Sequence, residues 1–130
     1  MPTIFSRIIA GEIPSYKIAE NEHFFAFLDI APVAKGHVLV VPKQEIDYIF
    51  DINDLTLSEM MVFSKKIATA IKKAIACKRI GVTVIGLEVP HAHIHLIPLN
   101  DMNDMNFLKP KLQLDTNEMK QISEEIKSYL

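Results

Sequence analysis

The sequence predicts an α+β domain: a five-stranded, mainly antiparallel sheet with a short N-terminal helix, a long central helix and a C-terminal helix. Three observations carry that prediction. Three stretches between Ser15 and Pro42 and two between Arg79 and Leu99 are dominated by β-branched and aromatic residues. Two other stretches, Leu57 to Ile75 and Met119 to Tyr129, repeat apolar residues every three or four positions, the period of a helix with one buried face. Only Glu88 and Val89 separate the last two strand-like stretches, too few for a crossover helix, so those neighbours run antiparallel. With 130 residues and 49% apolar content, the chain makes one domain, residues 1–130. A chain of this size has one core and buries about 65–70% of the surface it exposes when unfolded.

Each element has a local reason. Thr3 is placed to cap a short helix over I-F-S-R-I-I-A, with Ile4, Ile8 and Phe5 on one side and Gly11 as its stop. Pro14 prevents continuation. Ser15–Glu20 and His23–Ile30 then form a hairpin around Asn21-Glu22. In its second strand Phe25, Phe27 and Asp29 share one face, and Phe24, Ala26 and Leu28 the other. Asp29 reads two ways, as the initiator of a turn at Ala31-Pro32 or as a carboxylate that requires polar company.

Gly36 opens a third strand that Pro42 closes, and His37 stands at its beginning, where a lone histidine is ordinarily structural. I-D-Y-I-F suggests a helical turn. Thr56-Leu57-Ser58-Glu59 fits a capping box with Thr56 as N-cap, and Leu57, Met60, Met61, Ile67, Ala68, Ile71, Ala74 and Ile75 follow as an apolar stripe to cover the sheet. Arg79–Leu87 and Pro90–Leu99 complete the sheet. After the polar loop N-D-M-N-D-M-N, the last helix starts at Asp115 or Thr116 and carries Met119, Ile122, Ile126 and Tyr129 or Leu130 at helical spacing.

Composition excludes some partners. A net charge of −2 with 23% charged residues offers no attraction for a nucleic-acid backbone or an anionic membrane. The lysine pairs Lys65–Lys66 and Lys72–Lys73 fall on the polar side of the long helix. A single Cys77 cannot form an intrachain disulfide and fits a reducing compartment. With no leader pattern and no apolar run of about 18 residues, the expectation is a soluble cytoplasmic protein.

The chemistry is concentrated in P-H-A-H-I-H-L-I-P, residues 90–98. His91, His93 and His95 alternate with Ala92, Ile94 and Leu96, which on a strand gives one imidazole face and one apolar face. Imidazoles titrate near pH 6.5, so a neutral nucleophile and a cationic hydrogen-bond donor can coexist in a row. Spacing alone also admits a second use, since imidazoles two apart on a strand can close on one metal ion.

The motif H-A-H-I-H-L-I resembles the signature of the histidine triad family, His-φ-His-φ-His-φ-φ with φ apolar. T-I-F-S-R-I-I-A-G-E-I-P-S and F-L-D-I-A-P-V-A-K-G-H-V-L-V-V-P-K match the same family in order and spacing, so the resemblance spans most of residues 3–99. It implies nucleotidyl transfer onto His93, whose neutral Nε2 attacks an α-phosphorus before water releases the nucleotide. Splitting one hard displacement into two easier ones suits a labile phosphoramidate to imidazole.

By the same resemblance His95 binds a non-bridging phosphate oxygen, and His91 and His37 support the nucleophile from behind. Asp29 accepts the ribose hydroxyls, and Phe5, Ile8, Phe27, Leu28 and Ile30 form the base pocket. The implied partner is a purine nucleotide substrate, an AMP or GMP conjugate, and the implied assembly is a homodimer through the long helix and adjacent strand.

Two departures from the family pattern matter. Nucleotide-binding members usually carry a longer Asn- and Gly-containing loop ending in a Gln-Ser-like pair, whereas here V-I-G-L-E-V-P places Glu88 near the phosphate. An acid there repels phosphate but could protonate or position an amine leaving group. Some bacterial members also hold zinc with an N-terminal Cys-x-x-Cys, and this chain has Thr3 and Ser6 at those places. The expectation is therefore no required metal and no cofactor. The readings in play are a nucleoside phosphoramidate hydrolase, a dinucleoside polyphosphate hydrolase or transferase, and a non-catalytic nucleotide-binding protein.

Overall fold

A computed structural model describes residues 2–130. Five strands, β1 (Lys17–Glu20), β2 (Phe24–Leu28), β3 (Val38–Pro42), β4 (Arg79–Thr83) and β5 (Ile94–Leu99), form one antiparallel sheet in the order β1-β2-β3-β5-β4. Three helices accompany it: α1 (Ile4–Ile9), α2 (Asp54–Ala74) and α3 (Thr116–Lys127). Short 3-10 turns cover Ile49–Asp51 and Met102–Met105. No helix among the described residues is long and apolar enough to cross a membrane.

The sheet has two differently used faces. One face is sealed by α2 and α3, and its core gathers Phe24, Ala26, Leu28, Val38, Val40, Ala92, Ile94 and Leu96 with Met60, Ile67, Ile71, Ile122 and Ile126. Phe5, Phe25, Phe27, Leu39 and Val41 form a separate apolar cluster on the other face, under α1. Register joins Phe27 to Leu39, Leu39 to His95 and His95 to Thr83, so this second face carries an aromatic and an imidazole in one row. The alternation of β5 therefore divides stability from chemistry, with Ile94 and Leu96 in the core and His95 opposite.

Several boundaries differ from the sequence expectation, each for a hydrogen-bonding reason. α2 starts at Asp54 because the side chain of Asn53 accepts from the N–H of Thr56, so Thr56 lies inside the helix rather than capping it. Its inward stripe includes Ser64, whose hydroxyl donates to the Met60 carbonyl, while Met61 stays exposed. α1 and α3 follow expectation, with Thr3 and Asp115 as N-caps. Gly11 ends the first turn at φ +80°, a conformation that favours glycine.

The last two strands are shorter than expected. β4 stops at Thr83 and β5 begins at Ile94, leaving 84–93 as a connection in which Gly86 has φ +74°. His91 and Ala92 are fixed elsewhere: the His91 N–H donates to the Val89 carbonyl and the Ala92 N–H to the Ile46 carbonyl. The first two histidines of the motif thus precede the strand.

Candidate active site

Four buried histidines line the second face, and their hydrogen-bond partners fix where each proton sits. His91 Nε2 lies 2.8 Å from the Pro42 carbonyl, which can only accept, so Nε2 carries the hydrogen. Its Nδ1 must then accept, and the Thr3 hydroxyl donates to it at 2.7 Å. His93 Nδ1 donates to the His91 carbonyl at 2.8 Å, which leaves Nε2 as a bare lone pair.

A second chain fixes His95. The Val33 N–H donates to His37 Nδ1 at 3.2 Å, so His37 carries its hydrogen on Nε2 and donates to His95 Nδ1 at 2.9 Å. His95 therefore holds its hydrogen on Nε2. The result is a lone pair on one ring beside an N–H donor on the next, with ring centroids 4.8 Å apart.

Burial disfavours the charged form of His37, His95 and His93. Burial pushes His37 down to about 3, helped by repulsion from His95 and His93. Burial likewise pushes His95 down to about 4, with His93 adding to the effect. His93 is lowered by burial, opposed in part by its hydrogen bond to the His91 backbone. His93 and His95 are 7% exposed whereas His91 is fully covered, so of the motif's three rings only His93 and His95 reach the surface.

These shifts make stability pH-dependent in a defined direction. An unfolded chain binds protons at His37, His95 and His93 near pH 6.5, while the folded chain resists until lower pH, so stability is complete above 6.5 and falls as pH drops toward 4.5. Burial raises the Asp29 pKa, which works in the opposite direction in the lower part of that window. A net loss on the order of a few kcal/mol is expected between pH 7 and 4.5, read from urea midpoints. A flat midpoint across that range would contradict neutral buried rings.

Phe5 closes over His93, edge-on to it at 4.9 Å and to His91 at 5.7 Å. It also meets Phe27 at 5.6 Å, and Ile8 packs on the same cluster. Leu28 does not belong to this wall: 2% exposed, it points into the core beneath α2 and α3, because alternation along β2 sends it to the face opposite Phe27. Ile30, beyond the end of β2, is 77% exposed and does not join the Phe5–Phe27 cluster.

Asp29 takes both roles the sequence left open. Oδ1 accepts from the Ala31 N–H at 2.9 Å, as a turn initiator does, while Oδ2 stands 3.6 Å from His37 Nε2. Glu88 is exposed, and its charge acts on both His93 and Asp29. His37 touches His95 rather than His93, so its geometric influence falls on the donor ring and not on His93.

The hydrogen bonds bear on metal chemistry. Three imidazoles of the motif cannot close on one ion here, since both nitrogens of His91 and Nδ1 of His93 are engaged. Asp29, His37 and His95 do place donor atoms within 4.8 Å of one another. An ion there would have to displace the hydrogen that His37 gives to His95.

Some of the site left no mark in the sequence. Phe107 lies edge-on to His95 at 4.9 Å and to His37 at 6.0 Å, forming the wall on the donor side. Its loop is pinned by the Leu112 N–H donating to the Pro32 carbonyl, and Lys111 lies over the Phe107 ring. No period or motif flags Phe107, because it follows a polar loop. Val33 contributes through its backbone alone.

Residues 10–102 match the HIT domain family. An uncharacterised HIT-like protein of Borreliella burgdorferi is 34% identical over 131 residues, covering 95% of this chain and 94% of that protein. The adenosine 5'-monophosphoramidase of Schizosaccharomyces pombe is 34% identical over 136 residues, covering 100% of this chain and 99% of that protein. Among solved structures, a Hit-like protein of Bartonella henselae involved in cell-cycle regulation matches with a TM-score of 0.85 at 31% identity, covering 98% of this chain and 96% of that one.

Proposed function

This chain belongs to the HIT domain family, and from that premise we propose that it hydrolyses a purine nucleoside phosphoramidate through a nucleotidyl intermediate on His93. At the coarser level, relatives named as adenosine 5'-monophosphoramidases support nucleotide hydrolase activity. The observation that carries the finer reading is the pairing of a bare His93 Nε2 with a His95 Nε2–H on the partly open face.

In the proposed reaction Phe5, Ile8 and Phe27 hold the base and Asp29 Oδ2 accepts from the ribose. His93 Nε2 forms a bond to the α-phosphorus as the phosphorus–nitrogen bond breaks, and the amine, protonated from solvent before attack, leaves neutral. His95 Nε2–H donates to a non-bridging oxygen, where charge grows in the transition state. The modified ring is cationic, with its Nδ1–H still held by the His91 carbonyl. Water then attacks phosphorus, gives its proton to solvent, and returns His93 to its neutral form.

Glu88 favours an amine that is protonated before it leaves over a polyphosphate, because its charge reaches His93. Adenosine phosphoramidate is accordingly expected to turn over at least tenfold faster than diadenosine polyphosphate, by kcat/KM. The reverse order would favour the dinucleoside polyphosphate reading, and binding without turnover of either would favour a nucleotide-binding protein. The proposal includes a homodimer through α2 and β4, where a shallow groove is lined by Lys65, Ala68, Thr69 and Ile80; a monomer in sedimentation equilibrium would remove that part.

A further inference from the structure

The end of β3 and the loop that follows it grip two parts of the chain at once, residues 91–92 and the start of α1. The Pro42 carbonyl accepts from His91 Nε2–H at 2.8 Å, and the Ile46 carbonyl accepts from the Ala92 N–H at 2.7 Å. Glu45 Oε1 accepts from the Thr3 N–H at 2.8 Å and from the Ser6 hydroxyl at 2.5 Å. Thr3 closes the circuit, because Oγ1 accepts from the Ser6 N–H at 3.1 Å and donates to His91 Nδ1 at 2.7 Å. The reaction outlined above uses neither Glu45 nor the hydroxyls of Thr3 and Ser6.

Proton accounting makes this arrangement directional. The Pro42 carbonyl obliges His91 to carry hydrogen on Nε2, so His91 Nδ1 obliges Thr3 to spend its single hydroxyl hydrogen there. Thr3 Oγ1 lies 3.3 Å from Ser6 Oγ but has no second hydrogen to give, so Ser6 donates to the Glu45 carboxylate. Glu45 is thus the acceptor at which the chain ends. Hydrogen bonds to a carboxylate are about twice as strong as neutral ones. They tie the start of α1 to the same stretch of chain that holds the His91 ring.

We propose that Glu45, with Thr3 and Ser6, forms a clamp that sets the aim of His93, so that Glu45 is a positioning residue for the transfer. This rests on the nucleotidyl-transfer reading given above. Two routes lead from the clamp to the nucleophile. From below, the clamped His91 presents the carbonyl that holds His93 Nδ1. From above, the anchored α1 presents Phe5, whose ring edge meets His93 at 4.9 Å. A displacement of about 1 Å in such supports can cost on the order of a hundredfold in rate. Glu45 itself is exposed and lies outside the apolar wall, so its removal takes no side chain from the binding surface.

The test compares Glu45→Ala with Glu45→Gln and, from the other end of the network, Thr3→Val with Thr3→Ser. Two readouts are taken on each folded variant: imidazole nitrogen-15 shifts without substrate, and kcat and KM with adenosine phosphoramidate. Glu45→Ala is expected to lower kcat about tenfold with KM within twofold and to move the His91 Nδ1 and His93 resonances. Glu45→Gln is expected to restore both, since its amide oxygen accepts the same two hydrogen bonds. Thr3→Ser should resemble wild type and Thr3→Val the alanine variant, so a folding failure in one pair leaves the other informative.

Unchanged kcat in folded Glu45→Ala and Thr3→Val, or imidazole shifts identical to wild type, would overturn the clamp. Should wild type turn over no nucleotide conjugate, the proposed function fails while the nitrogen shifts still decide the clamp.

Discussion

Replacing His93 with Asn is expected to lower turnover of adenosine phosphoramidate by about 10³–10⁴-fold or more while nucleotide binding survives within a few-fold. The asparagine amide can still donate to the His91 carbonyl that now receives His93 Nδ1–H, so the loop 84–93 keeps its anchor. It offers no basic lone pair toward phosphorus. The Phe5 and Phe27 wall and Asp29 are untouched, which is why affinity for AMP in calorimetry should persist. A complementary readout is mass spectrometry of wild type quenched without acid, where one nucleotidyl group should sit on the peptide containing His93. Undiminished turnover by the Asn variant would remove the covalent route altogether.

The sequence disclosed most where one residue's role depends on its immediate neighbours. Alternation placed Ile94 and Leu96 in the core and His95 opposite, because a strand's side-chain period is two wherever one face is sealed, and Ala92, just before β5, is in the core as the same reading expected. The same rule assigned Leu28 to the face away from Phe27. The family resemblance had drawn Leu28 into the base pocket, and the structure sides with the alternation.

Elsewhere two local signals competed. Asn53 and Thr56 are both good caps three residues apart, and Asn53 prevails by accepting from the Thr56 N–H itself. Least legible were groups whose role depends on distant parts of the chain. Val33 orients His37 through a backbone N–H, Pro42 orients His91 through a carbonyl, and Phe107 arrives from beyond β5 to face His95. No side-chain pattern encodes a backbone donor or acceptor. For that reason the four histidines could be assembled from the sequence, and the family resemblance implied a bare Nε2 on His93, while the tautomers of His37, His91 and His95 could not be read.

Those tautomers lead to the second large effect, at His37. Substituting Leu removes the only protein donor to His95 Nδ1 among the described contacts, freeing the hydrogen of His95 to move from Nε2 to Nδ1. In the proposed reaction a phosphate oxygen would then meet a lone pair where it had met a donor, and kcat is expected to fall about 10²–10³-fold, the usual cost of losing one oxyanion donor. Gln, whose amide nitrogen reaches about as far as His37 Nε2, can still donate to His95 and should lose about tenfold or less.

The same substitution separates catalysis from folding. At neutral pH His37→Leu leaves the buried Val33 N–H without its acceptor, a destabilisation of about 1–3 kcal/mol. Toward pH 4.5 the balance shifts, because a histidine held at about 3 when folded and titrating near 6.5 when unfolded is, with His95, a main resolved source of acid sensitivity in the site. The variant's stability should therefore decline less steeply than wild type between pH 7 and 4.5, even though its activity is lower throughout. If His37→Leu retained full kcat, His95 would have to hold its Nε2 hydrogen without help, and the relay from Val33 through His37 would have no part in the reaction.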